Sequence, residues 1–527
     1  GPALGIDLPP AAQVRVTASD VAEFTPLALA MRALQEPELK PAGAEAGPSK
    51  SRRGGRRVVR SRAPTEMQEL AAFYAGRRFV PVWFENGAWS DRARSAITRL
   101  ERAGEDALTL GLAVPGLPAA AKGAEKTIAN AEVQLSRAVV RYAQNARGKR
   151  VDPRRISALI DVRLAIPAAA EILTKVGAAE FAGDALQAFN PQHPGYKALR
   201  AKLAEIRGPA DEKILPPIAL GRTLRVGMRD PRVPTLRLRF GLTAAADESQ
   251  ANLYDTQVAG AVAAFQRSRG LAANGRLTNA TIRALSGSNR DRLTSEVIAN
   301  MERWRWLPQD IGRTHFMANI PEYLVRMFRD GREIHSTRVI VGKTDNQTPV
   351  FSENMATIVV NPYWNVPQSI IKKEMLPAYQ RNGDYFSRRG YEVRMRGNTI
   401  TVRQPPGPRN ALGYVKLLFP NRHAVYMHDT PSRGLFGASR RAFSHGCVRV
   451  QNPFKVAALA LNGQNGLTES RLKSMIGRGE RWINLKEKIP VHIVYFTATI
   501  DENGELRLFN DVYGHSARLR RAMGLNG

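Results

Sequence analysis

The sequence predicts a multidomain α+β protein: a helical N-terminal region interrupted by a small three-helix module, then a mostly β domain that carries an insertion. Three observations predict it. A chain of 527 residues with 43% hydrophobic content can bury several cores, about three to four by ordinary domain size. From residue 64 to about 223 the text is rich in Ala and Leu with apolar positions three and four apart, and from residue 314 onward they alternate, the period of strands.

The elements follow in order. Residues 1–63 hold a helix-like run at 26–34, to which no role is assigned, and then a stretch of Pro, Gly, Ala, Ser and Arg that reads as a flexible basic linker. Residues 64–226 form the helical domain; within it Ile128, Ala131, Leu135, Val139 and Tyr142 fall on one helix face. Residues 227–290 form the small module. There Val258, Val262 and Phe265 stripe one helix, Gly270 ends it, Asn274-Gly275 turns the chain, and Ile282 and Leu285 pack from the next helix. A helix in 291–312, with Val297, Met301 and Trp304 inward, returns to the helical domain and makes the module an insertion.

Residues 313–515 form the β domain. Strands are expected at 315–320, 323–329 and 337–341, with a hairpin turn at Asp330-Gly331. Residues 362–411 exceed what the domain needs: an amphipathic stretch (Ile370, Ile371, Met375, Leu376) precedes a strand pair turning at Arg396-Gly397-Asn398. A helix at 452–461 and a hairpin between 491–496 and 506–509 complete the domain, and the basic tail 516–527 is expected to fray.

Ser444-His445-Gly446-Cys447-Val448-Arg449-Val450 contains the only cysteine, with His445 two positions before it and His428 further upstream. A lone thiol cannot be half of an internal disulfide; beside histidines and a glycine it has the ingredients of an activated nucleophile. Two other readings compete: a small buried hydrophobe, and a zinc set of His423, His428, His445 and Cys447, against which stands the lack of regular CxxC or HxxxH spacing.

The wider text, Phe419-Pro420-Asn421-Arg422-His423 through Tyr426-Met427-His428-Asp429-Thr430-Pro431 to Ser444-His445-Gly446-Cys447, closely resembles the signature of the L,D-transpeptidases. Phe79-Val80-Pro81-Val82-Trp83, Arg147-Gly148-Lys149-Arg150 and His193-Pro194-Gly195-Tyr196 resemble the scaffold domain of the large Gram-negative class of that family. Residues 227–290 resemble a three-helix peptidoglycan-binding domain.

The resemblance implies Cys447 as nucleophile and His428 as the group that takes its proton, oriented by the backbone carbonyl of Asp429. The Asp429 side chain is also a turn former. His445 is the runner-up base, or shapes the pocket, and the amides of Gly446 and Cys447 are the expected oxyanion hole. Arg449 either forks onto a substrate carboxylate or makes a structural ion pair. By analogy residues 362–411 form a lid, with Trp364, Tyr363, Tyr385 and Phe386 as its aromatics and Tyr414 near the substrate; ordinary packing is the alternative for each.

No cofactor or metal is implied. The implied reaction is attack on a peptidoglycan stem tetrapeptide, release of D-alanine, and transfer to a diaminopimelate amine, with carbapenems acylating the same thiol. An L,D-carboxypeptidase, an enzyme attaching outer-membrane proteins to the wall, and a non-catalytic wall-binding protein are the alternatives.

A net charge of +31 fits anionic surroundings, with stem peptides and glycan as partners. Nucleic acid is disfavoured, because much of the excess sits in the tract 50–62 and no recognised nucleic-acid motif appears. No stretch is apolar enough to span a membrane. Gly1-Pro2 reads as a protease-cleavage scar, so a periplasmic location is drawn from the resemblance rather than from a signal peptide.

Overall fold

The computed structural model describes residues 25–39, 63–208, 218–243, 250–286 and 289–525. The expected linker lies outside these except at its edges. The chain divides into two compact units, residues 1–150 with 165–191, and residues 151–164 with 192–527.

The first unit is helical, as expected. Its centre is the helix Glu125–Ala146, buried on nearly every side, including the predicted face Ile128, Ala131, Leu135, Val139 and Tyr142. The helices Glu66–Gly76, Asp91–Glu101 and Ala169–Gly177 pack around it. Thr65 and Gln68 form a capping box that starts the first of these, satisfying two otherwise orphaned donors. The N-terminal run is a helix, Pro26–Gln35, whose Met31 is fully buried in this core. Glu132 is also fully buried; it accepts from the backbone amides of Val82, Trp83 and Phe84 and from the Tyr74 hydroxyl.

The second unit draws on residues from more than one of the expected regions. Residues 151–164 and 192–207, placed with the helical domain by the sequence reading, belong to this unit. The helix Asn289–Trp304 packs on Pro194–Arg207, and the Gly195 position leaves no room for a Cβ beside the Trp304 ring. Trp304 also stacks on Phe496, 4.6 Å between centroids. The small module has helices Val233–Arg239, Thr256–Ser268 and Asn279–Ser286 around a core of Leu224, Leu236, Tyr254, Val258, Val262, Leu277 and Ile282. Gly270 and Gly275 both hold positive φ where the chain leaves the central helix and turns.

The β domain is a nine-stranded sheet. Its strands run in the order Ala442–Ser444, Arg332–Gly342, Val448–Val450, Met427–His428, Val415–Leu418, Phe351–Val360, Arg481–Val494, Thr314–Asn319, Leu324–Arg329. Leu324–Arg329 also pairs with Arg332–Gly342 through the Asp330-Gly331 turn, so the sheet closes on itself around its core.

Two expectations are corrected. Val491 to Val494 do not pair with the 506–509 strand but with Phe351–Val360 and Thr314–Asn319; the run is buried throughout, which suits a central strand. The terminal hairpin is instead Ala498–Ile500 with Leu506–Leu508. The tail is not frayed up to residue 525: His515–Ala522 is a helix with Leu519 fully buried, packed on Asn289–Trp304.

Residues 362–411 fold on a small core of their own, Val366, Ile371, Met375, Phe386 and Val402, ringed by Trp364, Ile370, Leu376, Tyr385 and Tyr391. A three-stranded sheet (Trp364–Asn365, Thr399–Gln404, Glu392–Arg396) backs helical turns between residues 368 and 388.

Candidate active site

Strand alternation builds the site. Val415, Leu417, Met427, Val448 and Val450 point into the core. Side chains one residue on project to the opposite face. Lys416 is paired with His428, and His428 with Arg449, so these three stand side by side across adjacent strands. Tyr426 and Cys447 lie just before the starts of the His428 and Arg449 strands, and Cys447 sits close to Tyr426, Lys416 and Arg449.

His428 is buried, and its Nδ1 lies 2.5 Å from the Asp429 carbonyl oxygen. That contact places the proton on Nδ1 and leaves Nε2 with a lone pair, the tautomer a base requires. Burial pushes the imidazole pKa down to about 3, helped by the Arg449 and Lys416 charges, so it is neutral at rest. The Asp429 carboxylate does other work. It accepts from the amides of Tyr414 (2.9 Å) and Thr430 (2.7 Å) and from Arg433 (2.8 Å). Gly413, at φ +60°, makes room for it.

The Cys447 thiol is pushed up by burial, against the Tyr426 amide and hydroxyl and the Lys416 and Arg449 charges, which all favour thiolate. The Tyr426 hydroxyl lies near the sulfur, each biasing the other's titration, and the Trp364 indole lies near that hydroxyl. The sulfur's hydrogen-bond contact is the Ala424 carbonyl oxygen at 3.9 Å. Trp364 thus brings residues 362–411 close to the Tyr426 side chain. Lys416 Nζ lies 4.0 Å from the centre of the Tyr426 ring.

Gly446 holds φ +116°, a conformation side chains resist. Its carbonyl accepts from Thr348 Oγ1 (2.8 Å), and its amide donates to Ser444 Oγ (3.1 Å), which in turn donates to the Cys447 carbonyl (2.5 Å). The Gly446 amide expected in the oxyanion hole is therefore engaged internally. His445 faces away from the base position: its Nε2 meets Glu374 Oε1 at 2.6 Å, a residue of the 362–411 segment.

Arg449 is half-buried, its Nε has no hydrogen-bond partner, and no ion pair to it occurs among the described residues. That favours the substrate-fork reading over the structural pair. The Tyr414 side chain packs against the β-domain core, and its amide is the group that reaches the site. The histidines of the weighed zinc set take separate partners, His423 with Asp161 and His445 with Glu374.

Sequence reasoning left Tyr426, Lys416, Glu374 and Thr348 without roles. The first two were signalled by alternation: a polar residue two before His428, and a lysine between Val415 and Leu417. Glu374 gave no signal, because its contact spans 71 residues.

Residues 313–469 match the L,D-transpeptidase catalytic domain, residues 68–203 the scaffold domain, and residues 239–285 the "Putative peptidoglycan binding domain". The chain carries the catalytic domain of the L,D-transpeptidase family, joined to those two modules.

A Haemophilus influenzae protein named "Putative L,D-transpeptidase" is 33% identical over 253 residues, covering 45% of this chain and 51% of that protein. The chain thus spans about half the length of the curated relative it matches. Among solved structures, an L,D-transpeptidase from Mycobacterium smegmatis is 11% identical, with TM-score 0.19, over 34% of this chain and 58% of that one. An Enterococcus faecium L,D-transpeptidase is 14% identical, with TM-score 0.17, over 34% and 50%. Likeness at that level carries no argument about the site.

Proposed function

We propose that this protein is a cysteine-dependent peptidoglycan L,D-transpeptidase of the periplasm. The observation that carries the reading is the row Lys416, His428 and Arg449 with Tyr426 and Cys447 beside it, within the matched catalytic domain. The Cys447 sulfur attacks the third-residue carbonyl of a stem tetrapeptide while its proton passes to His428 Nε2. The C–N bond to D-alanine breaks, and that proton leaves on the amine, giving a thioester. A diaminopimelate amine then attacks the thioester, His428 takes its proton, and the sulfur leaves as thiol with it. The product is a third-residue-to-third-residue cross-link. Arg449 and Lys416 give the site two cations for the carboxylates of the stem peptide.

Residues 362–411 act as the lid that shields the thioester from water. The chemistry needs no metal or cofactor. With water as acceptor the same site is a carboxypeptidase, and with a protein amine it attaches outer-membrane proteins to the wall. Incubation with purified tetrapeptide muropeptides, followed by mass spectrometry, decides: a cross-linked dimer lacking one D-alanine supports transpeptidation, and unchanged muropeptides support the non-catalytic wall-binding reading.

A further inference from the structure

The catalytic row continues across the sheet. Trp482 is paired with Val359, Val359 with Lys416, Lys416 with His428, and His428 with Arg449. Directly paired residues project to one face, so Trp482 stands on the face that carries the histidine. Burial agrees: the neighbours Ile358, Val360 and Ile483 pack with the core on the other side, whereas Val359 is absent from that core cluster. Trp83, Trp89, Trp304 and Trp306 are buried, yet the Trp482 ring is 61% exposed. A large aromatic left in water forgoes the gain of burial, and here it does so on the face that carries Lys416 and His428.

We propose that Trp482 is a saccharide platform, on which the muramic sugar bearing the donor stem peptide stacks while the scissile carbonyl lies at Cys447. This rests on the peptidoglycan reading of the site. Strands lie about 4.8 Å apart, which puts Trp482 about 14 Å from the His428 strand position and about 19 Å from that of Cys447. Three residues of extended peptide span about 10–11 Å, and the lactyl ether and the pyranose ring together add roughly 8 Å, so a fully extended donor covers about the distance between Cys447 and Trp482. The apolar C–H face of a pyranose suits the electron-rich face of an indole. A second stem peptide on the same ring is the competing occupant.

The test compares two donors, a disaccharide-tetrapeptide and the free tetrapeptide, with the full chain and its Trp482→Ala and Trp482→Phe variants. Because the ring is exposed, both variants should keep the parent melting temperature. Trp482→Ala should raise KM for the disaccharide donor roughly five- to tenfold, with kcat unchanged and Trp482→Phe intermediate. The free tetrapeptide should show no change. Equal effects on both donors would assign the ring to peptide, and no effect on either would leave it idle; both overturn the proposal.

If the parent protein turns over neither donor, the transpeptidase reading fails first. Calorimetric titration of the disaccharide-tetrapeptide into the Cys447→Ala protein then decides the platform alone. Weaker binding on adding Trp482→Ala supports it, and unchanged binding overturns it.

Discussion

Burial disfavours both the Cys447 thiolate and the His428 imidazolium, so both groups are neutral at rest. In the proposed reaction the proton therefore moves during attack rather than before it. With the imidazole pKa near 3, the acid limb of acylation should lie well below pH 6.5. Carbapenem acylation rates, followed by intact mass between pH 5 and 8, should show no loss near 6.5. Lys416→Met should move that limb upward, since Lys416 is one of the two charges holding His428 deprotonated.

Tyr426→Phe removes a hydroxyl that lies near the sulfur and favours its thiolate. Alkylation of Cys447 by iodoacetamide should slow by roughly three- to tenfold, the worth of about one hydrogen bond, while the melting temperature holds. These roles were half legible in the text. The motif pointed to His428 and Cys447, but Tyr426 and Lys416 gain meaning only when three strands align in register.

At the scale of elements, the 362–411 segment meets the site through the His445–Glu374 contact, and it brings Trp364 close to Tyr426. Trp364→Phe keeps an aromatic ring but removes the indole N–H beside Tyr426. The released muropeptides should shift from cross-linked dimer toward hydrolysed tripeptide, read by liquid chromatography; an unchanged ratio counts against a shielding role. Excising residues 382–405 is a blunter test, since it removes Phe386 and Val402 from the segment's core.

On the opposite side of His428, a Cβ on Gly413 would sit 2.3 Å from Asp429 Cγ. Gly413→Ala should therefore cost about 1–3 kcal/mol by chemical denaturation, and it should also slow acylation, because Asp429 carries the carbonyl that orients His428.

At the scale of the molecule, the two units should respond oppositely to acid. In the second, burial depresses His428 to about 3 and His492 and His515 to about 4. Depressed bases contribute stability above their unfolded value near 6.5 and lose it as pH falls toward the folded values. The loss is about 1.4 kcal/mol per pH unit for each histidine once titrating, with Asp429, raised by burial, partly offsetting it.

In the first unit, burial raises Glu132 to about 7. A raised acid contributes stability below its unfolded value, near 4.5, and loses it as pH climbs through 7. Hydrogen exchange corrected for intrinsic rates should show protection of Glu125–Ala146 rising, and of Arg481–Val494 falling, from pH 7.5 to 5. Parallel changes would reject this assignment.

The helical and β regions, the three-helix module and the candidate pair Cys447 and His428 were legible in the sequence, because each is written in local periodicity or a short motif. The tertiary structure alone decided what depends on distant strands meeting. It placed residues 491–494 at the sheet centre, docked the terminal helix, and moved residues 151–164 and 192–207 to the second unit. It also turned His445 toward Glu374 and committed the Gly446 amide to Ser444. Side-chain partners of that kind are set by closure of the sheet, and neighbouring residues carry no record of it.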